Sequence, residues 1–340
     1  MEQNGPWRIT FDTNPDDCNL SCIMCEDHSP YSQTQRTRID AGLRKKRMPI
    51  ELIQKIIAEA KPLGLKEIIP STMGEPLLYK NFDTILALCH EYDIKLNLTT
   101  NGTFPIKGAK NWAELIVPVT SDVKISWNGA TKNTQQTIMR GSSWEKVLEN
   151  IKIFIAIRNN YAKINSHYCR MTFQLTFLEE NVHELADIIK LAIELGIDRV
   201  KGHHLWVHFK EIQNSDMRRN TASIIKWNEA VQKAYEVAKD KPILLENIYA
   251  LPIDNKILSD NTILGDCPFL GKEAWVAADG RFNPCCAPEK ERQSLGNFGN
   301  LNQNTLTDIW QSDTYQNLKN TYQQYPVCQK CNMRKVLEKS

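Results

Sequence analysis

The chain lacks any apolar run approaching the ~18 residues that a membrane-spanning helix requires, so no span and no membrane partner are expected. Its opening stretch, "MEQNGPWRIT", holds no basic patch followed by an apolar segment, and a secretory signal is not expected either. Charge of one sign is missing too: 42 lysines and arginines against 40 acids leave a formal net charge of +2. Such a balance exerts no global pull on nucleic acid or lipid. There is no internal repeat and no low-complexity tract. With 340 residues, 41% of them hydrophobic, the chain is long enough for one large core and a smaller annex in a cytoplasmic protein.

Cysteine, by contrast, is plentiful, with ten residues. In a reducing compartment ten thiols point to metal ligation rather than to a disulfide framework. The segment "CNLSCIMCED" places Cys18, Cys22 and Cys25 together, and no fourth cysteine stands nearby. Cysteine thiolates normally hold all four corners of a 4Fe–4S cluster, so three ligands leave one iron open. A zinc knuckle completed by His28 is the alternative, although the spacing departs from the paired C-x2-C form of most zinc sites. Cys89 and Cys169 read as packing residues.

Strand-like segments at 7–13, 66–71, 95–100, 121–127, 169–177 and 197–202 alternate with amphipathic helical patterns. In "ELIQKIIAEAKPLG", Leu52, Ile53, Ile56, Ile57 and Ala60 share a face, and Pro62 with Gly64 ends the run. Strand–helix alternation implies right-handed crossovers and a parallel sheet with its chemistry at the strands' carboxyl ends. Three parts are expected: a core over 1–205, a helical connection over 206–262 with a polar stretch at 252–262, and a second ligand-bearing module over 263–340.

C-x3-C-x2-C after a first strand, followed by "STMGEPLL" (71–78), "TTNGT" (99–103) and "ISWNGATKNTQQTIMRGSSWEKVLENI" (125–151), resembles the radical S-adenosylmethionine superfamily. The resemblance runs over nearly the whole chain and implies an α/β fold, a partial (β/α)6 TIM-like barrel. It also implies an open cluster iron that takes S-adenosylmethionine, whose reductive cleavage gives a 5'-deoxyadenosyl radical able to abstract a hydrogen atom. Cys18, Cys22 and Cys25 would hold that cluster. Gly74, Glu75 and Pro76 would hold the cofactor's amino group, Ser126 would lie against the cofactor, and Arg140 would pair with its carboxylate. Where many relatives read S-x-D-G, this chain has "SWNG", so Trp127 and Asn128 depart from the pattern.

Cys267, "GRFNPC" (280–285), "LGNFGNLNQNTLTDIWQS" and "CQKC" (328–331) resemble the auxiliary-cluster modules called SPASM and twitch domains. By that resemblance Cys267, Cys285, Cys328 and Cys331 hold one auxiliary 4Fe–4S cluster, with zinc as the alternative occupant. Nine residues follow Cys331, which leaves ligands for one auxiliary cluster and not two. Cys286 is left over; related enzymes place a substrate-facing group after the corresponding ligand, so its thiol is a candidate hydrogen-atom donor, and packing is the alternative.

The basic run "RTRIDAGLRKKR" (36–47) reads as a solvated loop, with an acidic or phosphorylated substrate as the other reading. His203, His204 and His208 in "GHHLWVHF" read as supports at the sixth strand's end. The resemblance implies a radical enzyme of oxidoreductase or epimerase type acting on a peptide, by epimerisation, crosslinking or oxidation. The alternative substrate is a sugar or aminocyclitol, and the remote one is no reaction at all, in a zinc or iron–sulfur binding protein. An external electron donor such as a flavodoxin or ferredoxin is implied. The first strand begins within ten residues, so an N-terminal leader-binding domain is not expected, which weakens the peptide reading without removing it; a separate leader-binding protein is the partner that reading allows.

Overall fold

Short β-branched and aromatic stretches build the first strand, β1 (Arg8–Phe11), in a computed structural model that describes residues 4–71, 73–253, 265–331 and 333–334. Helices α1 (Thr34–Asp40) and α2 (Ile50–Ala60) follow. The chain then runs through β2 (Glu67–Ile69), α3 (Phe82–Glu91), β3 (Lys95–Thr100), α4 (Gly108–Ile116) and β4 (Thr120–Ser126). Next come α5 (Lys132–Ile138), α6 (Trp144–Ile164), β5 (Arg170–Phe177), α7 (Leu185–Leu195) and β6 (Arg199–His204). Helix α8 (Thr221–Ala238) and strand β7 (Leu244–Glu246) come after β6. The C-terminal part holds β8 (Glu273–Val276), β9 (Phe282–Asn283), α9 (Glu289–Gln293), α10 (Leu306–Gln311), α11 (Asp313–Thr321) and α12 (Pro326–Gln329).

Two units are distinguished, one of Met1–Asp17, Lys45–Asn97 and Leu258–Ser340, the other of Cys18–Arg44 and Leu98–Ile257. In the first, the strand order is β9-β8-β1-β2-β3, and β8 lies parallel to β1 with Arg8 opposite Glu273 and Phe11 opposite Val276. Helix α2 buries the five residues of its predicted face, Leu52, Ile53, Ile56, Ile57 and Ala60. From its other side Lys55 Nζ donates to the Leu301 carbonyl (2.8 Å), and Glu59 accepts the Leu306 N–H (2.9 Å), which ties α2 to the segment that opens α10. The hairpin β8–β9 and helix α11 share a core in which Phe282 meets Tyr315 edge-on at 5.4 Å.

The second unit orders its strands β3-β4-β5-β6-β7. The β4, β5 and β6 registers put Val123, Ile125, Phe173 and Val200 on the helix-covered face, all buried. The opposite face is polar: Asp122 pairs with Arg170 (3.1 Å) and with Arg199, and Lys201 pairs with Glu246 (2.6 Å). Among the described residues neither unit's strand order closes on itself, and the fold class is the α/β one expected, with parallel strands and helices alternating as in a partial (β/α)6 barrel. Strand β7 and the pairing of β8 with β1 were not expected from the sequence. The polar stretch at 252–262 lies outside the described residues from 254 onward. Among the described residues no helix is long and apolar enough to cross a membrane.

Candidate functional site

The loop after β1 carries the first three thiols, all half-buried. Two strand-like hydrogen bonds hold it from behind, where the Ser21 and Ile23 N–H groups donate to the carbonyls of Arg140 and Ile138, each at 2.9 Å. The "TTNGT" segment holds it from the side: Asn101 Nδ2 donates to Asn19 Oδ1 (2.8 Å), and Asn19 Nδ2 donates to Thr103 Oγ1 (2.9 Å). Leu20, Ile23, Ile138, Met139, Leu178, Leu205 and Ile212 form a buried apolar cluster against which Cys18 and Cys22 pack. Apolar surroundings of this kind bear on any cluster's potential.

Burial pushes the Cys22 thiol up, and the neighbouring Cys25 and Cys18 push it further. Cationic iron reverses that preference, because it binds the thiolate. Two of the sulfurs already accept backbone N–H groups, Cys18 from Leu20 (3.5 Å) and Cys25 from His28 (3.4 Å). Among the described residues no three His, Cys, Asp or Glu side chains converge closely enough for a single ion. A four-iron cluster asks for less, since each thiolate takes its own corner. The donor set fits such a cluster.

In the other unit, the turn that follows β2 is packed against the segment leading into the cysteines. Gly74 has φ +78°, and a Cβ there would lie 2.4 Å from the Asn14 carbonyl oxygen and 2.7 Å from that of Asp17. Only glycine fits this approach. The Glu75 N–H donates to the Asp17 carbonyl (2.7 Å), and Asn14 Nδ2 donates to the Glu75 carbonyl (2.9 Å). The Glu75 side chain is buried and accepts the Leu77 N–H at 3.2 Å, which caps the short turn begun by Pro76.

Asp17 also anchors the end of the basic run, through Lys45 (2.8 Å) and Arg47 (2.7 Å). Burial works to raise the Asp17 carboxyl, but the hydrogen bonds and charges of Arg47 and Lys45 hold it below its usual value.

Ser126 ends β4, half-buried and in register with Gln174. The Arg140 guanidinium is exposed and lies 5.8 Å above the Tyr31 ring. The two residues that depart from the family pattern are structural. Trp127 is buried and stacks on Phe173 (5.1 Å), while Asn128 accepts the Thr176 N–H (2.9 Å) and so ties the end of β4 to that of β5. His204 is a core residue between Phe177 and Trp227. His203 is half-buried at the rim, 3.4 Å from Gln174, and burial with Lys201 and Arg218 nearby pushes it down to about 4. Cys89 and Cys169 are buried, as expected for packing.

The second thiol group is assembled from distant segments. Burial pushes Cys285 up to about 12, and the Cys267, Cys331 and Cys328 thiols each add to the shift. Cys328 is pushed up to about 11, by burial first and then by Cys267 and Cys331. The Leu270 N–H donates to Cys267 Sγ at 3.4 Å. Cys286 is half-buried, and burial raises its thiol well above the ordinary value, followed by the charges of Cys285, Cys331, Cys267 and Glu273. The sequence reading missed the Ile138–Arg140 backing, the Asn19–Asn101 link and the buried Arg334. The first two were signalled by motifs already quoted.

These observations agree with comparisons to known proteins. The sequence profile of the Radical SAM superfamily matches residues 15–192, and that of an iron-sulfur cluster-binding domain, SPASM, matches residues 267–332. The chain belongs to the radical SAM superfamily and carries a SPASM domain toward its C-terminus. It is a radical SAM enzyme whose cofactors are S-adenosylmethionine and 4Fe–4S clusters, one that binds S-adenosylmethionine and one auxiliary.

Among curated proteins it is 22% identical to a tungsten-containing aldehyde ferredoxin oxidoreductase cofactor-modifying protein of Pyrococcus furiosus, over 93% of this chain and 85% of that one. It is 24% identical to a GTP 3',8-cyclase of Helicobacter pylori, over 79% and 77%. Among solved structures, Streptococcus suis SuiB bound to S-adenosylmethionine covers 93% of this chain and 68% of its own at a TM-score of 0.66 and 18% identity. For anSMEcpe with bound AdoMet the values are 98%, 89%, 0.67 and 14%.

Proposed function

We propose that this enzyme uses its first cluster to cleave S-adenosylmethionine and abstracts a hydrogen atom from a peptide. When bound, the cluster and S-adenosylmethionine supply the 5'-deoxyadenosyl radical. Cys18, Cys22 and Cys25 hold that cluster, and Cys267, Cys285, Cys328 and Cys331 hold the auxiliary one. The observation that supports this reading is the match of the radical SAM profile to residues 15–192 and of the SPASM profile to 267–332, which span the two sets of cysteines, with a backbone N–H on the Cys18 sulfur in one set and on the Cys267 sulfur in the other.

Gly74, Glu75 and Pro76 orient the cofactor's amino group, since the glycine turn admits close backbone approach. Ser126 would lie against the cofactor, and the exposed Arg140 would pair with its carboxylate. The apolar shell of Leu20, Leu178 and Leu205 keeps water from the reacting atoms. Cys286 is the candidate to return a hydrogen atom to the substrate.

A peptide substrate is supported by two fold neighbours, SuiB bound to its precursor peptide SuiA and anSMEcpe bound to a Cp18Cys peptide. An external one-electron donor, such as a flavodoxin or ferredoxin, completes the system. The test is 5'-deoxyadenosine formation by the anaerobically reconstituted enzyme with dithionite, with and without short peptides encoded beside it. A peptide that gains or loses hydrogen, with matching 5'-deoxyadenosine, is the expected result. Turnover of a sugar, an aminocyclitol or a nucleotide, with every such peptide inert, would contradict the peptide reading.

A further inference from the structure

We infer that Arg334 is a built-in counter-charge for the auxiliary cluster, a positioning residue that raises the cluster's reduction potential and helps retain it. The inference rests on the reading that Cys267, Cys285, Cys328 and Cys331 hold that cluster.

Arg334 is 4% exposed, rare for a side chain that stays charged at every physiological pH. Its Nη1 donates to the Cys328 carbonyl (3.0 Å), and its Nε donates to the Gly265 carbonyl. Its own N–H donates to the Cys331 carbonyl at 3.4 Å. The guanidinium carbon lies 5.5 Å over the Tyr322 ring, and the Tyr322 hydroxyl accepts the Cys267 N–H at 3.2 Å. The cation thus touches the backbone of one of the four thiol residues, Cys328, and lies over the tyrosine that bonds a second, Cys267, while the backbone N–H of the same arginine bonds a third, Cys331. Among the described residues no Asp or Glu pairs with it.

Burying a guanidinium is costly unless an opposite charge compensates, and two carbonyls and a ring face are partial compensation. The neighbours that become anionic are the thiols themselves, once iron binds. A 4Fe–4S cluster held by four thiolates is an anion, and reduction by one electron makes it more so. A fixed cation beside it therefore stabilises the reduced form more than the oxidised form. The net charge and hydrogen bonding around the sulfurs are the levers by which a protein sets such a potential, and Arg334 supplies the charge here.

The test uses the full chain with Cys18, Cys22 and Cys25 all changed to Ala, so that the auxiliary cluster reports alone. Iron content and an EPR-monitored redox titration are compared for the protein with Arg334 intact and for its Arg334→Lys and Arg334→Gln variants. The intact protein and Arg334→Lys, which both carry the positive charge, should titrate together, and Arg334→Gln should shift to a more negative midpoint potential. An Arg334→Gln protein that keeps its iron at an unchanged potential would overturn the inference. If Arg334→Gln loses its iron, retention by Arg334→Lys supports the charge role, whereas equal loss from both assigns Arg334 to hydrogen bonding and overturns it. Absence of iron from the background protein itself would refute the ligand reading, a separate failure.

Discussion

The two sets of cysteines proposed to hold clusters are laid out in opposite ways. The first is local: three cysteines within eight residues on one loop, backed by Ile138–Arg140 and packed on an apolar shell. The second is assembled: Cys267 precedes β8, Cys285 follows β9, and Cys328 and Cys331 lie on and just after α12, with a buried arginine among them. A loop with three thiols leaves a corner for a ligand, while four thiols gathered from separate segments close the shell. The first group suits chemistry on a bound molecule, and the second suits electron storage or a structural tie.

The comparison breaks most decisively by deleting one side. Changing any of Cys18, Cys22 or Cys25 to Ala should abolish 5'-deoxyadenosine formation and reduce iron from about eight to about four per chain. The check is an iron assay beside chromatography of the nucleoside products. Cofactor cleavage that persists would move the radical chemistry away from this loop.

A smaller effect is expected at the turn assigned to the cofactor. Gly74→Ala forces a Cβ against two backbone carbonyl oxygens at positive φ. Its affinity for S-adenosylmethionine should fall by about tenfold or more, at ~1.4 kcal/mol per tenfold, with iron content unchanged. Isothermal titration of the reconstituted protein measures this, and wild-type affinity would remove the turn from the cofactor site.

Cys286 sharpens the contrast, since it is the thiol that the proposed four-cysteine set leaves over. If the reaction inverts a carbon centre, Cys286→Ala should keep both clusters and still cleave S-adenosylmethionine, yet fail to release inverted product. In deuterated water the wild-type product should carry solvent deuterium. Normal turnover of the variant, without deuterium at the reacting carbon, would return Cys286 to packing.

The smallest effect concerns the anchor of the basic run. Asp17 has a depressed folded pKa, so its ion pairs stabilise the fold above its unfolded value, near 3.8, and lose that contribution as pH falls through the lower folded value. Its partners are half-exposed, with side chains 60% and 49% accessible, so screening limits the gain. Asp17→Asn should cost about 0.5–1 kcal/mol at pH 7 by urea denaturation. An equal loss in strong acid would show that charge is not the cause.

Much of this was legible in the sequence. The six barrel strands fall within about two residues of their predicted ends, because alternation of burial with strand and helix periods is a local signal. The cysteine loop was legible because its three thiols are close together in the chain. The pairing of β8 with β1 was not, since Arg8 and Glu273 are joined only by the fold and no local propensity names a partner strand. Arg334 was invisible for a related reason: an arginine three residues past a cysteine reads as solvated until packing closes over it. The departure at "SWNG" resolved itself in the structure, where Asn128 bonds backbone across two strand ends.

The central claim is that one chain carries both an open three-thiolate cluster and a closed four-thiolate cluster. Metal and sulfide analysis of the anaerobically reconstituted wild-type protein, with Mössbauer spectra recorded before and after addition of S-adenosylmethionine, tests it most directly. The account predicts about eight irons and about eight sulfides per chain, with one iron site perturbed by the cofactor and the rest unchanged. Stoichiometric zinc, or a full iron complement with no site that responds to S-adenosylmethionine, would contradict it.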